Sequence, residues 1–478
     1  MDHDQALQRL KLAYDSELLR EHGHRTVDLL ADYLAETMDG AQVKPFPWQP
    51  PEHSGEFWND PGQFDSPEQL FQNVLEQSIR LHHPQYMGHQ INPAVPIAAL
   101  GGLISDFLNN GMGIYEMGMA GAGMERLIAK LVTRRFGMDE QADGFLTSGG
   151  SLANLTALLA ARSVKQSSDI WEQGGGTDLA AMVSQQAHYC VDRASRIMGW
   201  GSAGLIKVPT NEQFQMRTEL LPELFEQAKR AGKKVIAVIG SACSTSTGSF
   251  DDLQAIGDFC EQRDLWFHVD GAHGAAVAFS EKYRHLVRGI ERADSVTMDF
   301  HKLCMAPAIT SGLFFRNGSD AYKTFAQQAD YLWSGADQDE WFNIAKRSFE
   351  CTKNLMVLRI YSILAAHGVE LFDANVTCLI DLAKQFADLV RGRKDLELAV
   401  EPECNIVCFR YRGSLSDNTA INRSIARIRD RLIKLGDYYI VQTTLNGEIW
   451  LRCTIANPFT TDREMNGLLD KIAELAAD

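Results

Sequence analysis

Apolar residues change their spacing three times along the chain. Over residues 5–38 they recur at helical intervals, with Val27, Leu30 and Leu34 on one stripe, the pattern of a single helix face. The proline-rich stretch "VKPFPWQPPEHSGEFW" (43–58) follows. Its Phe46, Trp48, Phe57 and Trp58 predict an extended segment laid against another surface rather than a free linker. A second helical pattern runs through "SPEQLFQNVLEQSIRLHH" (66–83), with Ser66 as its N-cap.

From residue 91 to 366 the period shortens. Apolar runs such as "KVIAVIG" (234–240), "LWFHVDG" (265–271) and "DSVTMDF" (294–300) alternate with helical segments such as "ELLPELFEQAKRAG" (219–232) and "DLQAIGDFCEQRD" (252–264). Such alternation predicts an α/β domain around a mainly parallel sheet. The last hundred residues differ again. Helices over 370–391 and 419–435 flank strand-like "CNIVCFRYR" (404–412), "DYYIVQTTLN" (437–446) and "EIWLRCTIAN" (448–457), which predicts a small α+β domain with an antiparallel sheet. The expected division is therefore 1–90, helical and extended; 91–366, the large α/β domain; and 367–478, the small domain.

Composition narrows the function classes. The 478 residues are 45% hydrophobic and 23% charged, as in an ordinary globular protein, and the formal net charge of −16 argues against a nucleic-acid or anionic-membrane surface. Nine cysteines are dispersed without a CxxC pair, so no metal is expected and the thiols read as those of a reducing compartment. The start, "MDHDQALQRL", lacks a secretory pattern, and the longest apolar stretch, "AVPIAALGGLI" (94–104), is too short to span a bilayer. A cytoplasmic protein is expected.

Candidate chemistry gathers where strands end, as ligand sites of open α/β sheets do. In "DGFLTSGGSLANL" (143–155) a short strand enters Thr147-Ser148-Gly149-Gly150-Ser151 and a helix begins. Small residues let backbone N–H groups approach a phosphate there; the same turn serves equally as a plain strand–helix corner. His188, in "SQQAHYCVDRA" (184–194), stands at another strand-to-helix junction, either as a satisfied buried histidine or stacked on a flat heteroaromatic ring. Asp270, in "WFHVDGAHGAA" (266–276), ends an apolar strand, where a carboxylate is costly unless it meets a cation or caps the following turn. A protonated pyridine nitrogen is such a cation. Lys302, in "VTMDFHKLCMAP" (296–307), ends its own strand, and a lysine amine shielded from water can form a Schiff base with an aldehyde. Phosphate turn, stacking histidine, ring-nitrogen acid and aldehyde-binding lysine together describe pyridoxal 5'-phosphate.

"AHYCVDRA" (187–194), "HVDGAHGAA" (268–276) and "DSVTMDFHK" (294–302) closely resemble the group II pyridoxal-phosphate decarboxylases. That family includes the glutamate, cysteine sulfinate, aromatic amino acid and diaminobutyrate decarboxylases. The likeness runs from "LHHPQYMGH" (81–89) to "LRCTIANPFTTDRE" (451–464). It implies a fold type I α/β enzyme with a seven-stranded-type sheet, dimeric with shared active sites, residues 1–90 packing on the partner subunit.

The resemblance also implies roles. Lys302 carries the Schiff base and His301 contacts the phosphate or the cofactor rim. Asp270 pairs with the ring nitrogen, Ala272 packs beneath the ring and His188 stacks over it. Gly150, Ser151 and Asp299 lie near the phosphate, and Thr245 lies near the phenolic side. Arg452 matches an arginine that binds the substrate α-carboxylate. Tyr331, in "QQADYLWSG" (327–335), matches the loop tyrosine that protonates the carbanion. Relatives that make aldehydes tend to have phenylalanine there, so Tyr331 with His188 favours plain decarboxylation. Asp299-Phe300 stands where the family often has asparagine-proline, a version carried by some diaminobutyrate-type relatives.

"HPQYMGHQINP" (83–93) matches the substrate-facing stretch and offers His89, Gln90 and Asn92. These would be stranded against a purely aromatic side chain. "NNGMGIYEMG" (109–118) is expected to form the facing wall, with Tyr115 and Glu116 as contacts. The expected activity is decarboxylation of an L-amino acid with a polar side chain, 2,4-diaminobutyrate-like or acidic. An aromatic amino acid decarboxylase, an aminotransferase, an aldehyde synthase and a non-catalytic binding protein are the alternatives.

Overall fold

The structure is a computed structural model that describes residues 1–166, 170–325 and 340–477. Its large sheet is built from β1 (Asp143–Thr147), β2 (Leu179–Ser184), β3 (Leu205–Val208), β4 (Lys234–Ser241), β5 (Trp266–Asp270), β6 (Ser295–Asp299) and β7 (Ser311–Phe315). The spatial order is β1-β7-β6-β5-β4-β2-β3. β2, β3, β4, β5 and β6 pair in parallel, while β7 runs antiparallel to both β1 and β6. Six strands therefore share one direction and deliver their carboxyl ends to one edge of the sheet. β2, β5, β6 and β7 are buried along their whole length, which explains their unbroken apolar runs: helices cover both faces.

The small sheet is antiparallel, formed by β8 (Leu396–Leu398), β9 (Ile406–Tyr411), β10 (Val441–Leu445) and β11 (Glu448–Thr454) in the order β10-β11-β9-β8. The flanking helices are Glu370–Arg391 and Asn418–Leu435. Among the described residues no single helix is long and apolar enough to cross a membrane.

The N-terminal helical patterns form helices, with two refinements. The predicted first helix is two, His3–Ala13 and Ser16–Asp39, because the Asp15 side chain accepts the N–H groups of Glu17 and Leu18 and restarts the helix. The proline-rich stretch is not extended throughout. Pro51–Phe57 is helical with Pro51 at its first position, where a missing N–H costs nothing. Phe57, Trp58 and Phe64 then cluster, with ring centroids 4.9–6.2 Å apart. Ser66 caps the next helix, Pro67–Glu76, accepting the Gln69 N–H.

Candidate active site

The strand ends enclose a cavity of about 480 Å3. Ser148, Gly149, Gly150 and Ser151 follow β1; His188 follows β2; Thr245 follows β4; Asp270 and Ala272 follow β5; Asp299, His301 and Lys302 close β6; and all of them line it. The strand register explains the convergence. Ser241 sits opposite Asp270, Asp270 opposite Thr297, and Ser311 opposite both Asp299 and Thr147.

Lys302 Nζ lies 3.1 Å from Asp299 Oδ2, and both side chains are largely shielded from water. Ser311 Oγ donates to the other Asp299 oxygen, and His301 Nε2 stands 3.6 Å away. Burial alone would push the Asp299 carboxyl up, but Lys302, His301 and Ser311 outweigh it and hold it below the usual carboxylate range. His301 is fixed from behind by the Thr310 backbone through Nδ1.

Asp299 also sits under the glycine turn. A Cβ at Gly150 would fall 3.0 and 3.2 Å from its carboxylate oxygens and 3.4 Å from Ala272 Cβ, and Gly149 has φ +115°. Only glycine lets the backbone come this close. The Gly150–Lys165 helix starts here, so its first N–H groups face the cavity without helical acceptors.

Asp270 is buried, accepts one N–H from Ala272 at 3.3 Å, and makes no ion pair among the described residues. His188 caps the Tyr189–Ile197 helix, its Nδ1 accepting the Cys190 N–H at 3.3 Å. Burial lowers the His188 pKa, Lys302 adds to this, and Asp270 and Asp299 only partly oppose it. The ring is therefore a neutral imidazole near pH 7, with its hydrogen on Nε2.

Several cavity features are silent in the sequence. Asn154 lines the cavity, donates to Cys190 Sγ, and faces His268 Nε2 at 2.9 Å through Oδ1; His268 Nδ1 in turn meets Ser295 Oγ at 2.8 Å. Burial holds His268 down to about 4, so it serves as a neutral strut two residues before Asp270 on the same strand face. The one available signal was the i, i+2 spacing in "FHVD". Cys190, Cys243 and His273 also line the wall. Glu350 accepts the Ser148 N–H at 3.2 Å from 202 residues away, which no local pattern reveals.

The substrate-facing expectations divide. Gln90 lines the cavity, and its Nε2 is buried without a partner. Asn92 is buried with both side-chain polar atoms unpartnered, but it is not on this wall. Arg452, on β11, is 5% exposed and leaves Nε and Nη2 buried without partners; burial lowers its pKa. It stands behind the wall near His89, whose pKa is lowered by burial and by Arg452 and Arg429. Tyr115 and Glu116 are exposed at the start of the Tyr115–Arg135 helix, Tyr115 against Phe342, and neither reaches the cavity within one chain. Tyr331 lies outside the described residues.

The residues present suit pyridoxal phosphate: an amine, an unpaired buried acid, a flat neutral imidazole and a glycine-lined helix start share one cavity. A family model described as "Pyridoxal-dependent decarboxylase conserved domain" matches residues 65–412. The chain is 28% identical to an aromatic-L-amino-acid decarboxylase of Bacillus atrophaeus, over 98% of this chain and 97% of that one. It is 27% identical to an L-2,4-diaminobutyrate decarboxylase of Acinetobacter baumannii, over 85% and 82%. The crystal structure of mouse CSAD superposes with a TM-score of 0.86 at 25% identity, covering 94% of this chain and 98% of that one. The chain belongs to the pyridoxal-dependent decarboxylase family, and it is a pyridoxal-phosphate-dependent amino acid decarboxylase.

Proposed function

We propose that the enzyme releases CO2 and an amine from an L-amino acid with a polar side chain, 2,4-diaminobutyrate-like or acidic. The observation that carries the substrate reading is the unpartnered Gln90 amide on the cavity wall. A purely apolar aromatic side chain would leave that amide unsatisfied, at about 1–3 kcal/mol.

The residues divide the work. Lys302 would hold the cofactor aldehyde, and Asp299 is the partner of the lysine's ammonium form. The first N–H groups after Gly149, with Ser151 and His301, hold the phosphate. Asp270 would keep a proton at the ring nitrogen, Thr245 would serve the phenolic side, and Ala272 and His188 would hold the ring between them. Pyridoxal phosphate, when bound, supplies the sink for the electron pair left at Cα as CO2 departs. Arg452 orients the α-carboxylate, Gln90 receives the side chain with His89 and Asn92 as its neighbours along the chain, and Tyr331 returns a proton to Cα. Tyr115 and Glu116 are assigned to the facing wall, reached from the partner of a homodimer on which residues 1–90 also pack.

The test is a screen of the proteinogenic amino acids plus 2,4-diaminobutyrate, ornithine and cysteine sulfinate, following CO2, amine, oxygen, ammonia and keto acid together. Equimolar CO2 and amine from a diamino or acidic substrate, with little from tyrosine or tryptophan, is the expected result. Preferred turnover of aromatic substrates overturns the substrate reading. Oxygen uptake with ammonia release would mean an aldehyde synthase, keto acid an aminotransferase, and cofactor binding without turnover a non-catalytic protein.

A further inference from the structure

Three soft donor groups meet beside the cofactor cavity. Cys243 comes from the turn after β4, His273 from the turn after β5, and Cys404 from the segment leading into β9. Their ligand atoms lie within 4.8 Å of one another, and the two Sγ atoms are 3.5 Å apart. The residues are 7%, 2% and 0% exposed. Among the described residues no other three histidine, cysteine or acidic groups come together in this way.

A second, independent observation concerns the histidine. Asn405 Nδ2 donates to the Ile455 carbonyl at 2.8 Å, which fixes the orientation of the amide. Its Oδ1 therefore faces His273 Nε2, at 2.7 Å, and that nitrogen must carry the hydrogen. Nδ1 is left as a bare lone pair, buried beside the Cys404 thiol. Metal-ligating histidines are held in this way, the far N–H given to an oxygen so that the near nitrogen is free to coordinate. Two thiolates on one tetrahedral zinc ion, with Zn–S near 2.3 Å, stand about 3.8 Å apart, close to the Sγ spacing here.

We propose that Cys243, His273 and Cys404 form a binding site for a thiophilic divalent ion, Zn2+ by ligand type, with the fourth position open toward the cofactor cavity. Cys243 and His273 line that cavity, which gives the ion its way in. Both thiols release a proton on binding. The ion would clamp the segment leading into β9 to the turn that follows Asp270, which stands three residues before His273.

The test uses reduced holoenzyme freed of metal by a chelator. Zn2+ is titrated in competition with a chromophoric chelator, and Cd2+ serves as a spectroscopic probe. One ion per chain is expected, with a thiolate-to-cadmium ultraviolet band of two-thiolate amplitude. Cys404→Ser should halve that band and weaken Zn2+ at least about 100-fold; His273→Asn should weaken Zn2+ at least about tenfold. Cys408→Ser, four residues along, should change neither. A wild-type protein that shows no Cd2+ band overturns the proposal without reliance on any variant. So does Zn2+ binding that is equal in Cys404→Ser. A wild-type chain two hydrogens lighter, with Cys243 joined to Cys404, would make the pair a disulfide and also overturn it.

Discussion

Lys302 and Asp299 form the central contact of the cavity at the scale of single residues. A buried carboxylate is tolerable only against cations and donors, and Asp299 has Lys302, His301 and Ser311. Asp299→Asn should lower stability by about 2 kcal/mol at pH 7. Because the folded carboxyl lies below its ordinary value, its contribution is complete above about pH 4 and fades as pH falls through the folded value. Denaturant titrations should therefore show wild type and Asp299→Asn converging below pH 4. A gap of constant size would remove the ion pair from the account. Lys302→Ala should cut amine release at least about 100-fold and abolish the visible band of the lysine-linked cofactor, while circular dichroism stays unchanged. For Tyr331→Phe we expect cofactor retention with amine output reduced about 100-fold; full amine output would reassign the proton donor.

Among whole elements, the question is what keeps the end of β1 aimed at the cavity. Glu125, on the Tyr115–Arg135 helix, accepts the Leu146 N–H at 2.9 Å, and Lys353 Nζ reaches Glu125 at 2.6 Å and the Leu146 carbonyl at 2.8 Å. The two side chains are 3% and 1% exposed. The pair thus stitches a helix, a strand end and a distant loop one residue before the "TSGGS" turn. Glu125→Gln leaves a buried ammonium unpaired and should cost about 3–5 kcal/mol. A Glu125→Leu/Lys353→Met double variant should recover most of that loss in urea unfolding, while cofactor affinity still falls because β1 is no longer anchored. Recovery of both would confine the pair to stability.

The whole molecule leaves apolar faces uncovered. Leu100, Leu103, Ile104, Phe107 and Leu108 are exposed on Pro96–Leu108, as are Tyr115, Met117 and Met119 on the next helix. A face this apolar suits a subunit contact, and Tyr115 and Glu116 lie beside it. Light scattering should report a dimer, and Phe107→Glu with Leu103→Asp should yield monomers that lose activity. Active monomers would detach the catalytic site from subunit pairing.

Local pattern was enough for the mainly parallel sheet, the helix cap at Ser66, and the placing of Lys302, Asp270, His188 and Gly150 at strand ends. Strand ends and glycine turns are written within a few consecutive residues, so they survive reading in one dimension. Longer-range partners were not legible. Glu125 finds Lys353 across 228 residues, His268 finds Asn154 across 114, and Cys243 finds Cys404 across 161. Nothing local to either member of such a pair marks it, because the contact exists only after crossover connections have stacked the strands. The sequence by itself determined which chemistry the cavity can hold. Only the tertiary structure decided that Asp299 faces Lys302, that Arg452 lies buried, and that two cysteines meet a histidine of fixed tautomer.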